Sequence, residues 1–440
     1  MQHLPKWGKL QQNTHTAMDC PHRSNARPPH WILIMSRPDT LLVGLGVVGR
    51  AIVRAHLTAN VSVTIGDLDG EAVDKCVEEL DLDLSVWTVS EPHSDMADMT
   101  TIDLTHRDHV STGKSPILIE SIVERLQVKQ TFFQHVERSL GEQWIFCSNT
   151  STLRIGDIAT SLDDPSRLIG MHFFMPVESR DAIEVIPTAD TASDNLAAVT
   201  AHVQRLDRSP LVVADAPGFI VNRMLSPYLN EAMLLLSQGA TAEQIEQAAL
   251  RYGMPMSPLE LIDLIGSRTM FDAGRVYWQS FPTRIDPSPM LPAMIKKGRG
   301  GRFSGGGFYD YADARRSESL APAAVEIRDK YARNTRDFAD DEVQSRLSLA
   351  MWIEAALLLR QGVAQTLEEI EIAMAGGLGY RPRGGWCVGF DRMGSDVIYR
   401  NIVVAVPDSK SLQAPEDLLE LLLRCSPSEA IAVFANLKHP

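Results

Sequence analysis

Thr40-Leu41-Leu42-Val43-Gly44-Leu45-Gly46-Val47-Val48-Gly49 runs from four residues of buried-strand type straight into a glycine-rich turn. Arg50 to Ala59 then has the pattern of a helix, and Val61 to Ile65 that of a second strand, leading to Asp67. A lone GxGxxG is a weak signal. Here it follows a strand, opens a helix and is followed by an acid 23 residues after its first glycine, which is the context that gives it meaning. Gly44 permits the tight turn, Gly46 lets the backbone approach a pyrophosphate, and Gly49 lets helix and strand pack closely. The first helical N–H groups, with Val47 and Val48 at that turn, would meet the phosphates. Asp67, with Asp69 as the runner-up, would accept hydrogen bonds from a ribose 2′-hydroxyl and repel a 2′-phosphate. The expected cofactor is NAD rather than NADP.

Working outward, residues 70 to 112 read as a helix from Glu71 to Leu80 followed by a polar, irregular stretch. Pro116 to Glu120 is the next strand, with Glu124 just beyond it, and Leu126 to Leu140, which includes Lys129, is a helix. Trp144 to Cys147 is a strand that delivers Ser148-Asn149-Thr150-Ser151. Arg167 to Met171 brings His172 forward, and Ala182 to Ile186 carries Glu184. Ligands in open α/β sheets bind outside the carboxyl ends of the strands. The glycine turn, Glu124, Ser151 and His172 should therefore face one crevice. An imidazole with an ordinary pKa near 6.5 can take a proton from an alcohol at neutral pH. A carboxylate on its far nitrogen would fix the tautomer and steady the imidazolium. Phe173 and Phe174 would keep water away.

The 440 residues suggest two or three domains, and 44% hydrophobic with 22% charged residues is ordinary for a globular chain. A net charge of −14 argues against a nucleic-acid or anionic-membrane surface. Five scattered cysteines without a CxxC read as reduced thiols of a cytoplasmic protein. No His/Cys cluster has the spacing of a metal site, and no apolar run is long enough to span a bilayer. Residues 1–35, rich in His, Pro, Gln and Asn, read as a disordered leader or as an over-extended start before Met35.

The second half is helical in pattern and written twice. Phe219 to Gln238 reads as a long helix capped by Gly239, with further helices to about Tyr277 and a Gly/Arg loop at 298–307. Arg223, Glu231, Ala232, Leu235 and Gly239 recur as Arg346, Glu354, Ala355, Leu358 and Gly362 at one offset of 123. Asp263 and Gly266 recur as Asp391 and Gly394 after small insertions. The second copy has Ser345 where the first has Asn222, so it is expected to be structural.

Taken together, GLGVVG, LIESIVERLQVKQ, SNTSTL, RLIGMHFFMPV, IEVIP, DAPGFIVNRMLSPYLNEA and GRFSGGGFYDY, over about residues 40 to 311, resemble the L-3-hydroxyacyl-CoA dehydrogenase family. The resemblance implies a Rossmann-type α/β NAD-binding domain (36–214) and two tandem all-α domains like the C-terminal domain of 6-phosphogluconate dehydrogenase (215–311 and 341–440), joined by a connector (312–340). It further implies His172 as general base, Glu184 orienting it, Ser151 on the reacting oxygen and Asn222 placing substrate and histidine. Glu124, Lys129 and Asn149 fall on the cofactor side. The implied reaction is NAD-dependent oxidation of a 3-hydroxyacyl-CoA in fatty acid β-oxidation, without the hydratase half of the multifunctional enzymes. Single-copy relatives pair through the helical domain, so a duplicated copy suggests a monomer, with a homodimer as the alternative.

Two departures stand out. Met175 replaces the family's asparagine beside the cofactor, and the acidic segment between Asp67 and Glu120 is shorter than the helical hairpin that contacts CoA in relatives. The first leaves room for a non-catalytic, crystallin-like NAD binder. The second leaves room for a dehydrogenase of a small, CoA-free 3-hydroxy acid.

Overall fold

The computed structural model describes residues 39–440 apart from 84, 91–98, 107–114, 314, 383 and 438–440. The expected leader lies outside the described residues. Nine strands, β1 (Thr40–Val43), β2 (Val63–Asp67), β3 (Trp87–Ser90), β4 (Thr100–His106), β5 (Ile117–Glu120), β6 (Ile145–Ser148), β7 (Leu168–Phe173), β8 (Ala182–Ile186) and β9 (Ser209–Val212), form one sheet. Their order is β3-β4-β2-β1-β5-β6-β7-β8-β9. β2, β1, β5, β6 and β7 run parallel to one another. β1, β5 and β6 are buried along their whole length, as the unbroken apolar runs predict for strands covered on both faces. The cover comes from α1 (Val47–Thr58), α2 (Gly70–Glu79), α3 (Leu126–Ser139), α4 (Ile155–Ala159) and α5 (Ser193–Arg205).

The stretch after α2 departs from expectation. Where the sequence reads as irregular, β3 and β4 form an antiparallel ribbon that extends the sheet beyond β2. In β4 only Leu104 is fully buried, so its apolar alternation is too diluted to read. At the other side β8 runs antiparallel to β7, and this reversal sets His172 directly opposite Glu184.

α1 and α5 meet through a pair of buried histidines. His56 bonds the Ile52 carbonyl through Nδ1 at 2.8 Å, and its Nε2 lies 3.1 Å from Nε2 of His202. Burial above all pushes His56 down to about 4, with Arg205 adding to the effect against the opposing Ile52 carbonyl. Burial, then His56 and Arg205, lowers His202 as well. Between about pH 6.5 and pH 4 the unfolded chain therefore takes up protons that the folded chain refuses. Stability should be unaffected by this pair above that window and fall as pH drops through it, by on the order of 3 kcal/mol for His56. Thermal melts across the window test this, and a slope that His202→Leu does not flatten would contradict it.

Beyond β9 come α6 (Val221–Gln238), α7 (Ala242–Tyr252), α8 (Pro258–Ile265), α9 (Ser267–Ser280) and α10 (Met290–Lys296). Then follow α11 (Pro322–Lys330), α12 (Asp340–Arg360), α13 (Leu367–Ile372), α14 (Trp386–Met393), α15 (Ser395–Ala405), α16 (Glu416–Leu422) and α17 (Pro427–Asn436). α14 and α15 begin 128 residues after α8 and α9. The joining glycines, Gly266 and Gly394, have φ of 100° and 85°. Thr241 and Thr366 cap α7 and α13 by the same bond, to the N–H groups of Gln244 and Glu369.

α6 lies along α12, and buried charges cross between them. Arg223 donates to Glu354 at 2.6 Å and to Gln361 at 2.7 Å. Arg346 donates to Glu231, and to Gln238 at 2.8 Å. Each contact maps onto the other under the 123-residue offset, so the two helices are related as two halves of a pseudo-symmetric dimer. The stretch expected as a mere connector is built into this assembly. Ala321, and Ala324 and Ile327 of α11, are buried, and the N–H groups of Arg333 and Arg336 donate to the carbonyls of Ser237 and Gln238 at the end of α6.

Candidate active site

The glycine turn sits where β1 hands over to α1. Gly44 has φ of 97°, and a Cβ there would lie 2.6 Å from the Ser121 carbonyl oxygen. A Cβ on Gly49 would come within 1.8 Å of the Gly44 carbonyl, so helix and strand touch through bare backbone. Around Gly46 there is nothing within 4 Å of such a Cβ, which leaves an open cradle. No side chain caps α1 and no acid lies in its first turn, so the N–H groups at Val47 and Val48 remain for an anion. Asp67 accepts from the Leu45 N–H at 2.8 Å and the Asp69 N–H at 3.0 Å, which fixes its carboxylate beside the turn with lone pairs to spare. The Asp69 carboxylate is occupied as the N-cap of α2. These residues fit an NAD.

The next strand ends hold the loop that follows β6. Glu124 accepts hydrogen bonds from the N–H groups of Ser151 and Thr152 at 3.0 and 3.1 Å and from the Thr150 and Thr152 hydroxyls at 2.7 and 2.9 Å. Burial alone would raise its pKa, but Lys129 and these bonds outweigh burial and hold the carboxyl below its usual range. The Ser151 hydroxyl is only 3.4 Å from Glu124 and is free to turn toward a ligand. Lys129 is 1% exposed and paired with Glu120, with Glu124 at 3.3 Å. It is buried between these two acids, beside the loop that Glu124 holds.

Glu120 was missed in the sequence, where it marks only the end of a strand. It is fully buried and accepts from Lys129, from the Ser148 hydroxyl at 2.7 Å and from the Ile122 N–H at 2.8 Å. Asp215 was missed too; it accepts the N–H groups of Ile155 and Gly156 at 2.8 Å and so ties α4 to the end of the sheet domain. An acid closing an apolar strand and an acid in a turn were the available signals. Asn149 uses its amide to hold the framework: it accepts from the Phe173 N–H at 2.9 Å and donates to Ser121 at 3.2 Å.

At the centre, His172 Nδ1 lies 2.7 Å from Glu184 Oε2. Glu184 is fully buried, and its other oxygen accepts the N–H groups of Ile220 and Val221 at 2.9 and 3.1 Å, at the start of α6. Phe219 is held at φ 48°, a conformation that costs about 1–3 kcal/mol outside glycine and that aims those two N–H groups at the acid. Phe174 stands edge-on to the imidazole at 5.0 Å between centroids, and Phe219 lies at 5.9 Å. The ring is therefore walled by aromatics, with Nε2 left for a ligand. Asn222 donates to the Ser151 carbonyl at 2.8 Å, which brings the loop of β6 and the first turn of α6 together. Met175 lies against the sheet-domain core, and its carbonyl accepts from Arg180 at 3.3 Å.

Of the residues singled out, His172, Glu184, Ser151 and Asn222 are joined through these bonds, and Glu124 and Asn149 tie that group to the glycine turn's edge of the sheet. Comparison with known proteins identifies the family. Residues 40–216 match the family model of the 3-hydroxyacyl-CoA dehydrogenase NAD binding domain, and residues 218–311 match that of its C-terminal domain. The fatty acid oxidation complex subunit alpha of Acinetobacter baumannii (strain SDF) is 34% identical over 285 residues, covering 63% of this chain and 40% of that protein. Its counterpart in Psychrobacter sp. is 29% identical over 392 residues, covering 87% of this chain and 54% of that protein. The chain thus spans about half or less of the length of these curated relatives. Among solved structures, 3-hydroxybutyryl-CoA dehydrogenase from Escherichia coli superimposes with a TM-score of 0.66 at 21% identity, covering 88% of this chain and 98% of that one. The (S)-3-hydroxybutyryl-CoA dehydrogenase of Ralstonia eutropha gives 0.52 at 28% identity, covering 63% of this chain and all of that one. With an open glycine cradle, a buried His/Glu pair and two consecutive domain matches, the chain belongs to the 3-hydroxyacyl-CoA dehydrogenase family.

Proposed function

We propose that the protein oxidises L-3-hydroxyacyl-CoA to 3-ketoacyl-CoA with NAD, as a step of fatty acid β-oxidation. The observation that carries the reading is the His172–Glu184 pair held against the start of α6, with Ser151 brought alongside by Asn222.

His172 Nε2 receives the proton of the 3-hydroxyl. Glu184 keeps Nδ1 as the hydrogen-bearing nitrogen, so that Nε2 is the free base, and it balances the imidazolium once the proton has moved. Ser151 donates to the reacting oxygen as it becomes a carbonyl. Asn222 fixes the Ser151 backbone, and Phe174 and Phe219 exclude water, which strengthens every charge interaction in the pocket. The chemistry supplied by bound NAD is acceptance of the hydride from C3. Glu124 contributes by holding the whole 150–152 loop in register beside the cofactor's expected place.

A second reading, oxidation of a small CoA-free 3-hydroxy acid, is favoured by one observation. The described part of the segment after α2 is a β-ribbon, not a helical hairpin. Formation of NADH from 3-hydroxybutyryl-CoA and from free 3-hydroxybutyrate separates the two. Turnover of the thioester is expected; turnover of the free acid alone would reject the first reading. We also place the protein in the cytoplasm, a compartment in which the free thiols of Cys76, Cys147, Cys387 and Cys425 would stay reduced. Fractionation of the native protein into an oxidising compartment would reverse that assignment.

A further inference from the structure

Between α6, α8, α9 and residues 285–292, the first helical set forms a partly open cavity of about 290 Å³. Leu229, Met233, Ile262 and Met270 form buried walls. The polar side chains there spend their hydrogen bonds on the protein. Ser226 donates to the Asn222 carbonyl at 2.8 Å. Asn230 donates to the Asp286 carbonyl at 3.0 Å and accepts from the Ser288 N–H at 2.9 Å. Arg275, exposed and 3.3 Å from Asp272, also lines the space; the rest of the lining is largely hydrocarbon, which suits an apolar ligand.

Its lining on α6 begins at Ser226, one helical turn after Asn222. Asn222, Ser226, Leu229, Asn230 and Met233 recur at helical spacing on one face of α6. That stripe is about 16 Å long at the rise of an α-helix. A chain whose reacting carbon sits beside Asn222 and His172 would have this stripe as its floor.

The second helical copy acts as an internal control. Leu349 occupies the position of Ser226, Trp352 that of Leu229, Phe390 that of Ile262 and Ile402 that of Gly274. All four are larger than their counterparts, and none is more than 2% exposed. At these four positions the copy that has Ser345 in place of Asn222 carries the larger side chains, although Ala356 stands where the first has Met233. The cavity lined by Ser226 and Leu229 lies in the copy that carries Asn222.

We propose that this chamber receives the hydrocarbon tail of the acyl group, so that the protein prefers long-chain over four-carbon acyl thioesters. The idea rests on the acyl-CoA reading above, and the test separates the two. Dodecanoyl-CoA and butyryl-CoA lack the 3-hydroxyl, so their binding can be measured by calorimetry without turnover. The parent is expected to bind dodecanoyl-CoA at least about tenfold more tightly than butyryl-CoA. Gly274→Ile transplants the filler of the second copy. A Cβ at Gly274 meets no atom within 4 Å, so the new side chain enters the void rather than clashing. The ratio of the two affinities should fall toward one in Gly274→Ile and part of the way in Gly274→Val, with an unchanged melting curve as the control for folding. Equal affinities in the parent, or a ratio that survives both substitutions, would overturn the assignment. A ratio that collapses as expected in a protein that forms no NADH from 3-hydroxyacyl-CoA would leave the chamber assigned and reject the dehydrogenase reading.

Discussion

Replacing His172 by alanine should lower kcat for 3-hydroxybutyryl-CoA by about 10²–10⁴-fold, the contribution of a placed general base. The apparent substrate affinity should change far less, because Ser151, Asn222 and the glycine cradle are untouched. The loss is expected to be catalytic rather than structural. His172 is 6% exposed and opens on the cleft through Nε2, whereas the fully buried member of the pair is Glu184. Removing the acid is the more disruptive change. It strips the imidazole of its orienting partner and leaves the N–H groups of Ile220 and Val221 without their acceptor. Glu184→Gln combined with His172→Ala should lose little more rate than His172→Ala alone, since groups acting as a unit are not additive. Steady-state NADH formation by His172→Ala, Glu184→Gln and the double variant decides the matter. A His172→Ala enzyme within a few-fold of the parent would remove the imidazole from the mechanism.

Glu354→Ala should destabilise the fold by about 3–5 kcal/mol, the penalty for leaving a buried ion with its partner removed. Arg223 is 1% exposed, and its guanidinium lies over the Phe281 ring at 4.2 Å, so it cannot escape to water without dismantling its surroundings. The Tyr277 hydroxyl, which donates to Glu354 at 2.7 Å, would also lose its acceptor. Removing both charges, as in Arg223→Met with Glu354→Met, should restore much of the loss, because a well-packed apolar pair often matches a buried ion pair. Urea midpoints for the single and double variants measure this. A single variant as stable as the parent would show that the cross-copy pair bears no weight. The same pair underlies our proposal that the chain is a monomer: α12 already supplies to α6 the charges that a second chain would otherwise bring. Sedimentation of the parent at the mass of two chains would contradict that.

Much of the sheet domain and the centre of the site could be read from residue order. The glycine turn follows β1, Asp67 closes β2, and His172 and Glu184 lie inside β7 and β8, all short strands whose apolar runs are easy to recognise. The antiparallel turn between β7 and β8 needed only a short loop to bring residues 172 and 184 opposite each other. Other features depend on partners distant in sequence. Lys129 looks like a ligand-facing cation until Glu120, nine residues earlier, is seen to hold it under the loop. Asn149 gives no sign in sequence that its amide bonds Phe173 and Ser121. β4 could not be recognised because its pattern is that of a half-wet strand with one deeply buried side chain. The chamber beside α6 is invisible in sequence for a different reason: it is defined by what four segments fail to fill.

The bonds from Ile220 and Val221 to Glu184 make the acid an interlock between the sheet and the helical half. Any hinge motion that parted β8 from α6 would uncouple that interlock, and the imidazole would lose its fixed tautomer at the same moment. On the proposed mechanism, proton abstraction would then be confined to the closed arrangement. An opened molecule could exchange its nucleotide without the risk of stray chemistry.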